Sequence, residues 1–291
     1  VAGAGCVPAA AMGEVRERAS AREGGHAAMF SGALIGMIHV LALPGTPYAK
    51  RTVREIAQQA AGEARVLREA GFDAVMVENR HERPYVQGQH GPQTTAVMTR
   101  VALEVRAVFE GPMGVQVLSG GEREAVAVAL SAGCEFVRVE NFVFAHVADE
   151  GLLHTACAGA LLRYRREIGA EHVKVFADIK KKHASHAITA DTGIEDCARA
   201  AEFFGADGVI VSGQFTGQPT SVAEVASVKR ACGLPVLVGS GVTPEQAPAL
   251  LGHADGLIVG TWIKQRGRWE HPVDPERCRQ IVEAVGRARR Q

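Results

Sequence analysis

From residue 33 onward, short β-branched and apolar runs alternate with longer stretches of helical periodicity, and the alternation repeats eight times. A chain with that rhythm builds a parallel sheet covered by crossover helices, because each strand must return to the same end of the sheet. The strands are expected at 34–41, 74–78, 113–118, 136–140, 173–179, 208–212, 235–239 and 256–259. The helices are expected near 53–70, 92–109, 122–132, 152–168, 194–204, 222–231, 244–251 and 275–289. Eight units close into a single-domain α/β fold, the (β/α)8 or TIM barrel. The rival, an open doubly wound sheet, has fewer strands and a GxGxxG turn after the first one. Here that turn reads Leu43-Pro44-Gly45-Thr46-Pro47.

Side-chain parity agrees with closure. In the fifth strand Val173, Val175, Ala177 and Ile179 share one face, expected to meet the helices, while Lys174, Phe176, Asp178 and Lys180 share the face turned into the barrel. In the fourth, Val137 and Val139 point outward and Arg138 and Glu140 inward. The length of 291 residues holds one barrel of about 250 plus an extension. Residues 1–29 lack the apolar stretch of a secretory signal and are expected to be a disordered or artefactual extension.

Lys+Arg and Asp+Glu both number 32, so no overall field draws the chain to nucleic acid or to an anionic membrane. The longest apolar runs are strand-sized, far short of the roughly 20 residues of a membrane helix. Six cysteines without CxxC spacing read as reduced core residues, which makes the cytoplasm the default location. Barrels often associate, so a homo-oligomer is expected.

The strongest chemical signal is Gly239-Ser240-Gly241-Val242-Thr243-Pro244-Glu245-Gln246 after the seventh strand, together with Gly260-Thr261 after the eighth. Barrels bind phosphate between those two loops. Glycine lets backbone N–H groups approach an anion closely, and a helix start adds unpaired donors. Thr243 is expected as N-cap, Pro244 at the first helical position and Gln246 in a capping box. The same glycines also suit plain tight turns.

A second group gathers at strand ends: His39, Glu78, Asn79, Arg138, Glu140 and Asp178. Such residues converge at one mouth of a barrel, where carboxylates and an imidazole serve as general acid and base. They also suit a divalent cation, although no HExxH-like spacing supports one, or a buried ion-pair network filling the lumen. The run Lys180-Lys181-Lys182-His183 offers cations to clamp an anion or, if desolvated, an amine nucleophile. Of these, Lys181 is expected at the surface. Thr216 and Gly217 add donors after strand six, and the long loop 79–91, with Arg80, His81, Glu82, Arg83 and Tyr85, suits a lid or clamp and equally a flexible surface loop.

Several segments together resemble the BtpA/SgcQ family: Gly36-Met37-Ile38-His39 with Leu43-Pro44-Gly45, Val77-Glu78-Asn79, Gly91-Pro92, Ala177-Asp178 with Lys182-His183, Thr216-Gly217, Gly239-Ser240-Gly241-Val242, and Ala254-Asp255-Gly256 with Val259-Gly260-Thr261. The resemblance runs from about residue 33 to the C-terminus and implies a barrel protein, described in places as a photosystem I biogenesis factor and elsewhere accompanying sugar-uptake genes. It also lends weight to Lys182 and His183 as site residues. One stretch departs from the family pattern. Where an Asn two residues after the Arg and a Gly-containing loop are implied, this chain has Glu140-Asn141-Phe142-Val143-Phe144-Ala145, expected to set an acid and two aromatics at the mouth.

The resulting expectation is a metabolic enzyme acting on a small phosphorylated compound by lyase, isomerase, transferase or hydrolase chemistry. Its phosphate would be held by Gly239, Ser240, Gly241, Gly260 and Thr261, with Thr216, Gly217, Asn79, Arg138 and Glu140 lining the substrate site. Glu78, Asp178 and His39 would move protons or bind a metal, and Lys182 and His183 would stabilise developing negative charge. The alternative is a non-catalytic photosystem I assembly factor.

Overall fold

Eight parallel strands hydrogen-bond in a closed ring, and helices cover the outside. The computed structural model describes residues 30–213, 220–239 and 241–290, and 32–291 cluster as one compact unit. The expected extension at 1–29, Ser240, and the Thr216-Gly217 pair lie outside the described residues. In chain order the elements are β1 (Ala33–His39), α1 (Val53–Ala70), β2 (Ala74–Glu78), α2 (Pro92–Arg106), β3 (Met113–Gln116), α3 (Glu122–Ala132), β4 (Phe136–Val139), β5 (His146–Ala148), β6 (Gly151–Leu153), α4 (Ala158–Glu167), β7 (Lys174–Ile179), β8 (Ala184–Ser185), α5 (Ile194–Phe203), β9 (Gly208–Val211), α6 (Val222–Ala231), β10 (Val236–Val238), α7 (Ala247–Leu251), β11 (Gly256–Val259) and α8 (Pro275–Ala288). The ring runs β1-β2-β3-β4-β7-β9-β10-β11 and returns to β1.

Local chemistry starts the helices where the sequence indicates. Thr52 caps α1 in a reciprocal box with Glu55, Ser221 accepts from the Glu224 amide at the head of α6, and Asp274 caps α8 just before Pro275. The seventh unit departs from expectation. Thr243 does not cap a helix starting at Pro244; a turn fills 244–246 and α7 begins only at Ala247, with no side-chain cap. Proline at 248 is tolerated because it falls in that first turn.

Strand parity builds two cores. Val137, Val139, Val175, Ala177 and Ile179 face the helices as expected and join one outer apolar cluster. Ile35, Met37, Met76, Phe136, Phe176, Ile210, Leu237 and Ile258 are buried outside that cluster and fill the lumen. The two phenylalanine rings meet edge to face at 5.9 Å. They fit because a Cβ on Gly114 or Gly208 would lie only 2.2 Å from one of them.

The fourth unit is the main surprise. The expected helix at 152–168 starts only at Ala158. Ahead of it, β5 and β6 form an antiparallel hairpin with Asp149-Glu150 at its tip, and β8 pairs along the other side of β5. In the departing stretch, Phe142 is fully buried in the outer core rather than at the mouth, so Phe144 remains as the exposed aromatic there. Among the described residues no helix is long and apolar enough to cross a membrane. Five described cysteines are free thiols, consistent with the core reading.

Candidate active site at the strand C-termini

At the C-terminal ends of the strands lies a cavity of about 300 Å³. It gathers residues far apart in sequence: His39 and Glu78 at the ends of β1 and β2, Arg138 and Glu140 at β4, Asp178 on β7, Lys182 and His183 just beyond it, Gly239 and Gly241 after β10, and Gly260 and Thr261 after β11. Both expected constellations therefore share one chamber. Asn79 does not reach it. Fully buried, its amide accepts from the Leu118 N–H at 2.6 Å, donates to the Leu118 carbonyl at 2.9 Å and contacts Glu82, so it braces the loop after β2.

Arg138 and Asp178 form the chamber's floor. Arg138 donates Nε to Oδ2 at 2.8 Å and Nη2 to Oδ1 at 2.9 Å, a two-point pair with both side chains buried. Burial opposes the guanidinium charge, yet Asp178, Glu78 and Glu140 together hold its pKa above the ordinary value. Asp178 is thus committed to a partner and is not a free base. The remaining nitrogen, Nη1, lies 3.5 Å from where a Cβ on Gly239 would stand, so the guanidinium reaches across the lumen to the glycine turn after β10. Among the described residues the N–H groups of Gly241, Val242 and Thr261 donate to no backbone carbonyl. Gly241 adopts a left-handed φ of 68°, a conformation glycine enters without penalty.

The lysine run divides by role. Lys180 and His183 take left-handed backbone angles, φ 47° and 55°. Such conformations cost non-glycine residues about 1–2 kcal/mol each and collect at functional sites. Lys181, expected at the surface, is instead buried, donating to Glu140 at 3.2 Å and lying 3.8 Å from Glu150 at the hairpin tip. Two nearby carboxylates outweigh its desolvation and raise its pKa, and its charge lowers that of Glu140. Lys180 donates to the Thr189 carbonyl. Lys182 lines the cavity and, among the described residues, its ammonium makes no hydrogen bond or ion pair. Burial, reinforced by the Arg138 charge, pushes it down to about 7. His183 is also lowered, by burial and by Arg80 and Lys182, so it is a neutral imidazole rather than the cation expected.

His39 is neutral for similar reasons. Burial and the nearby Lys264 charge push its pKa well below the ordinary value. Its Nδ1 donates to the Trp269 carbonyl at 2.9 Å, which leaves Nε2 as the acceptor, 3.7 Å from Glu78 and facing Gly260. A neutral ring makes this contact something other than an ion pair. Lys264 is itself fully buried against Glu63 at 2.7 Å, pinning the segment after β11 to α1. Among the described residues no three His, Cys, Asp or Glu side chains form a metal-holding group. The divalent-cation use of His39, Glu78 and Asp178 therefore finds no ligand cluster.

Sequence reasoning missed several wall residues. Gln116 sits on the inward face of β3, and its buried carbonyl oxygen has no partner among the described residues, as is true of one Glu140 oxygen. Strand parity would have found Gln116. Trp269 has no such signal. Lying beyond β11, it stacks under the guanidinium groups of Arg80 at 5.2 Å and Arg83 at 4.6 Å, with the His81 ring 5.0 Å away. Glu150, which pairs with Ser119 as well as Lys181, belongs to the unforeseen hairpin.

Comparison with known proteins shows the same fold and places the chain in a family. The solved (S)-3-O-geranylgeranylglyceryl phosphate synthase of Thermoplasma acidophilum, bound to sn-glycerol-1-phosphate, superposes with a TM-score of 0.54 over 87% of this chain and 92% of its own; at 20% identity the likeness is one of fold. A mitochondrial protein of Caenorhabditis elegans is 39% identical over 88% of this chain and 94% of its own length. The photosystem I biogenesis protein BtpA of Synechocystis is 31% identical over 87% of each chain. The pattern of the BtpA family matches residues 31–287, and the chain belongs to that family.

Proposed function

We propose that the protein is an enzyme acting on a small phosphorylated compound, a sugar phosphate or a nucleotide-like molecule. The observation that carries the reading is the Arg138 Nη1 atom facing the Gly239 turn, in the cavity where the Gly241 and Thr261 amides have no carbonyl partner among the described residues. A permanent cation, free amides and a glycine-lined wall suit an anion of phosphate size. The name of the superposed synthase, which carries a glycerol phosphate, supports the same ligand class.

The groups left for chemistry are Glu78, the neutral His39 and Lys182. Glu78 carries protons. His39, held in one tautomer by the Trp269 carbonyl, accepts a hydrogen bond from substrate at Nε2. Asp178 acts through Arg138 as a positioning residue rather than as the base. The loop carrying Arg80 and Arg83 and the hairpin carrying Glu150 close the chamber over substrate. An assembly of identical chains is part of the proposal, to be read by light scattering after gel filtration.

The name of the Synechocystis relative favours a second reading, assembly of photosystem I without catalysis. A thermal-shift screen of sugar phosphates and nucleotides, joined to a pull-down from membranes, separates the two. Stabilisation by a phosphorylated compound, competed by inorganic phosphate, is the expected result. A stable complex with a membrane protein and no response to any phosphorylated compound would replace the enzyme reading.

A further inference from the structure

The seven lysines of the chain differ in what holds them. Lys174 is tied to Asp207, Lys180 to the Thr189 carbonyl, Lys181 to Glu140, Lys229 to Asp255 and Lys264 to Glu63. Lys50 is exposed to solvent. Lys182 alone among them lines the cavity without a side-chain partner in the described residues. Lys182 is half-buried, unlike the fully buried Lys264, which carries an ion-pair mate because an uncompensated ammonium in a protein interior is costly. The position is fixed from behind: its backbone N–H donates to the Ser212 hydroxyl at 3.2 Å, and the next residue holds a left-handed backbone turn. The amine therefore sits on a braced segment, opening into a polar chamber and bonded to no described residue there.

We propose that Lys182 Nζ is a covalent nucleophile that forms a Schiff base with the carbonyl carbon of a small phosphorylated aldehyde or ketone. This rests on the phosphate-site reading above and adds to it the carbonyl and the bond. In the first step the Nζ lone pair forms the C–N bond, and the carbonyl π pair moves to oxygen, which takes up a proton while nitrogen releases one. The resulting carbinolamine then loses its hydroxyl, with one further proton, as water, leaving a C=N bond whose protonated form withdraws electrons from the neighbouring carbon. No oxidant or outside reductant is needed. Glu78, which lines the same cavity and is electrostatically linked to Lys182, is the group placed to pass these protons. Burial keeps the amine low enough, at about 7, for a substantial neutral fraction at physiological pH. The Arg138 charge contributes to the same end while serving the phosphate.

The test is reductive trapping of the full chain with sodium borohydride in the presence of dihydroxyacetone phosphate, glyceraldehyde 3-phosphate or ribose 5-phosphate, followed by peptide mapping. The expected result is one reduced adduct per chain on Lys182 with at least one of the three, suppressed by inorganic phosphate, and lost in both Lys182→Met and Lys182→Arg. Melting curves of both variants check that they fold. Adducts spread over Lys50 and other surface amines, or no Lys182 adduct from compounds that nonetheless raise the melting temperature, would overturn the nucleophile while leaving the phosphate site standing. If none of the three raises the melting temperature or labels Lys182, the phosphate reading fails and the Schiff base with it.

Discussion

At the scale of single residues, the sequence identified most of the polar groups in the cavity but not their states. Asp178 looks like a catalytic base because it is an inward carboxylate at a strand end; whether it is free depends on a partner 40 residues away. The two-point pair predicts that Asp178→Asn destabilises the fold by about 3–5 kcal/mol, because a buried guanidinium loses its counter-charge. Urea unfolding checks this, and an unchanged midpoint would mean that Asp178 is available for chemistry after all. Lys182 gives a second prediction. An unfolded lysine keeps its proton to about 10.5, while the folded one releases it near 7, so between these values the unfolded chain binds more protons and stability rises with pH. Below about 7 both states are protonated and the full burial cost falls on the folded state. The contribution has a slope of at most about 1.4 kcal/mol per pH unit. Wild type minus Lys182→Met should therefore shift in favour of wild type from pH 7 to 10; a flat difference would place the ammonium in water. In sequence the family resemblance favours Lys182 over Lys181 but Lys181 is expected at the surface, and the left-handed backbone at Lys180 and His183, which frames the pair, is not visible in a run of like residues.

At the scale of elements, eight strands and their inward faces were legible because period-two alternation and helical periodicity are local properties. The lids were not. Residues 146–151 carry no element in the sequence reading and 152–153 fall in the expected helix, yet 146–153 fold as a hairpin whose tip is held by Lys181 and Ser119. That choice is set by tertiary partners. The length of the loop after β2 suits a lid, a clamp or plain surface alike, and Trp269, against which its Arg80, His81 and Arg83 pack, carries no pattern of its own. Removing that platform in Trp269→Ala should free Arg80, His81 and Arg83, at a cost of about 1–2 kcal/mol. Limited trypsin digestion should then cut after Arg80 several times faster, and an unchanged rate would show the loop is held otherwise. After β11, a Cβ on Gly260 would lie 3.3 Å from His39 Nε2 and 3.4 Å from Met37. Gly260→Ala is accordingly expected to fold with little loss of stability and to weaken inorganic phosphate binding about tenfold, about 1.4 kcal/mol by calorimetry. Equal affinity would move the anion away from the loop after β11.

For the whole molecule, closure turns a linear string of weak motifs into one chamber. No local spacing joins Gly239 to Arg138, yet strand order β4-β7-β9-β10 brings the guanidinium of one to the turn of the other. Balanced charge leaves no long-range field to gather ligands, so recognition falls to these short contacts. The most direct measurement is a crystal structure with ribose 5-phosphate bound. The phosphate is predicted to lie within hydrogen-bond reach of Arg138 Nη1 and of the Gly241 and Thr261 amides, with the sugar carbon toward Lys182. A phosphate bound anywhere else, with that corner of the chamber holding only water, would contradict it.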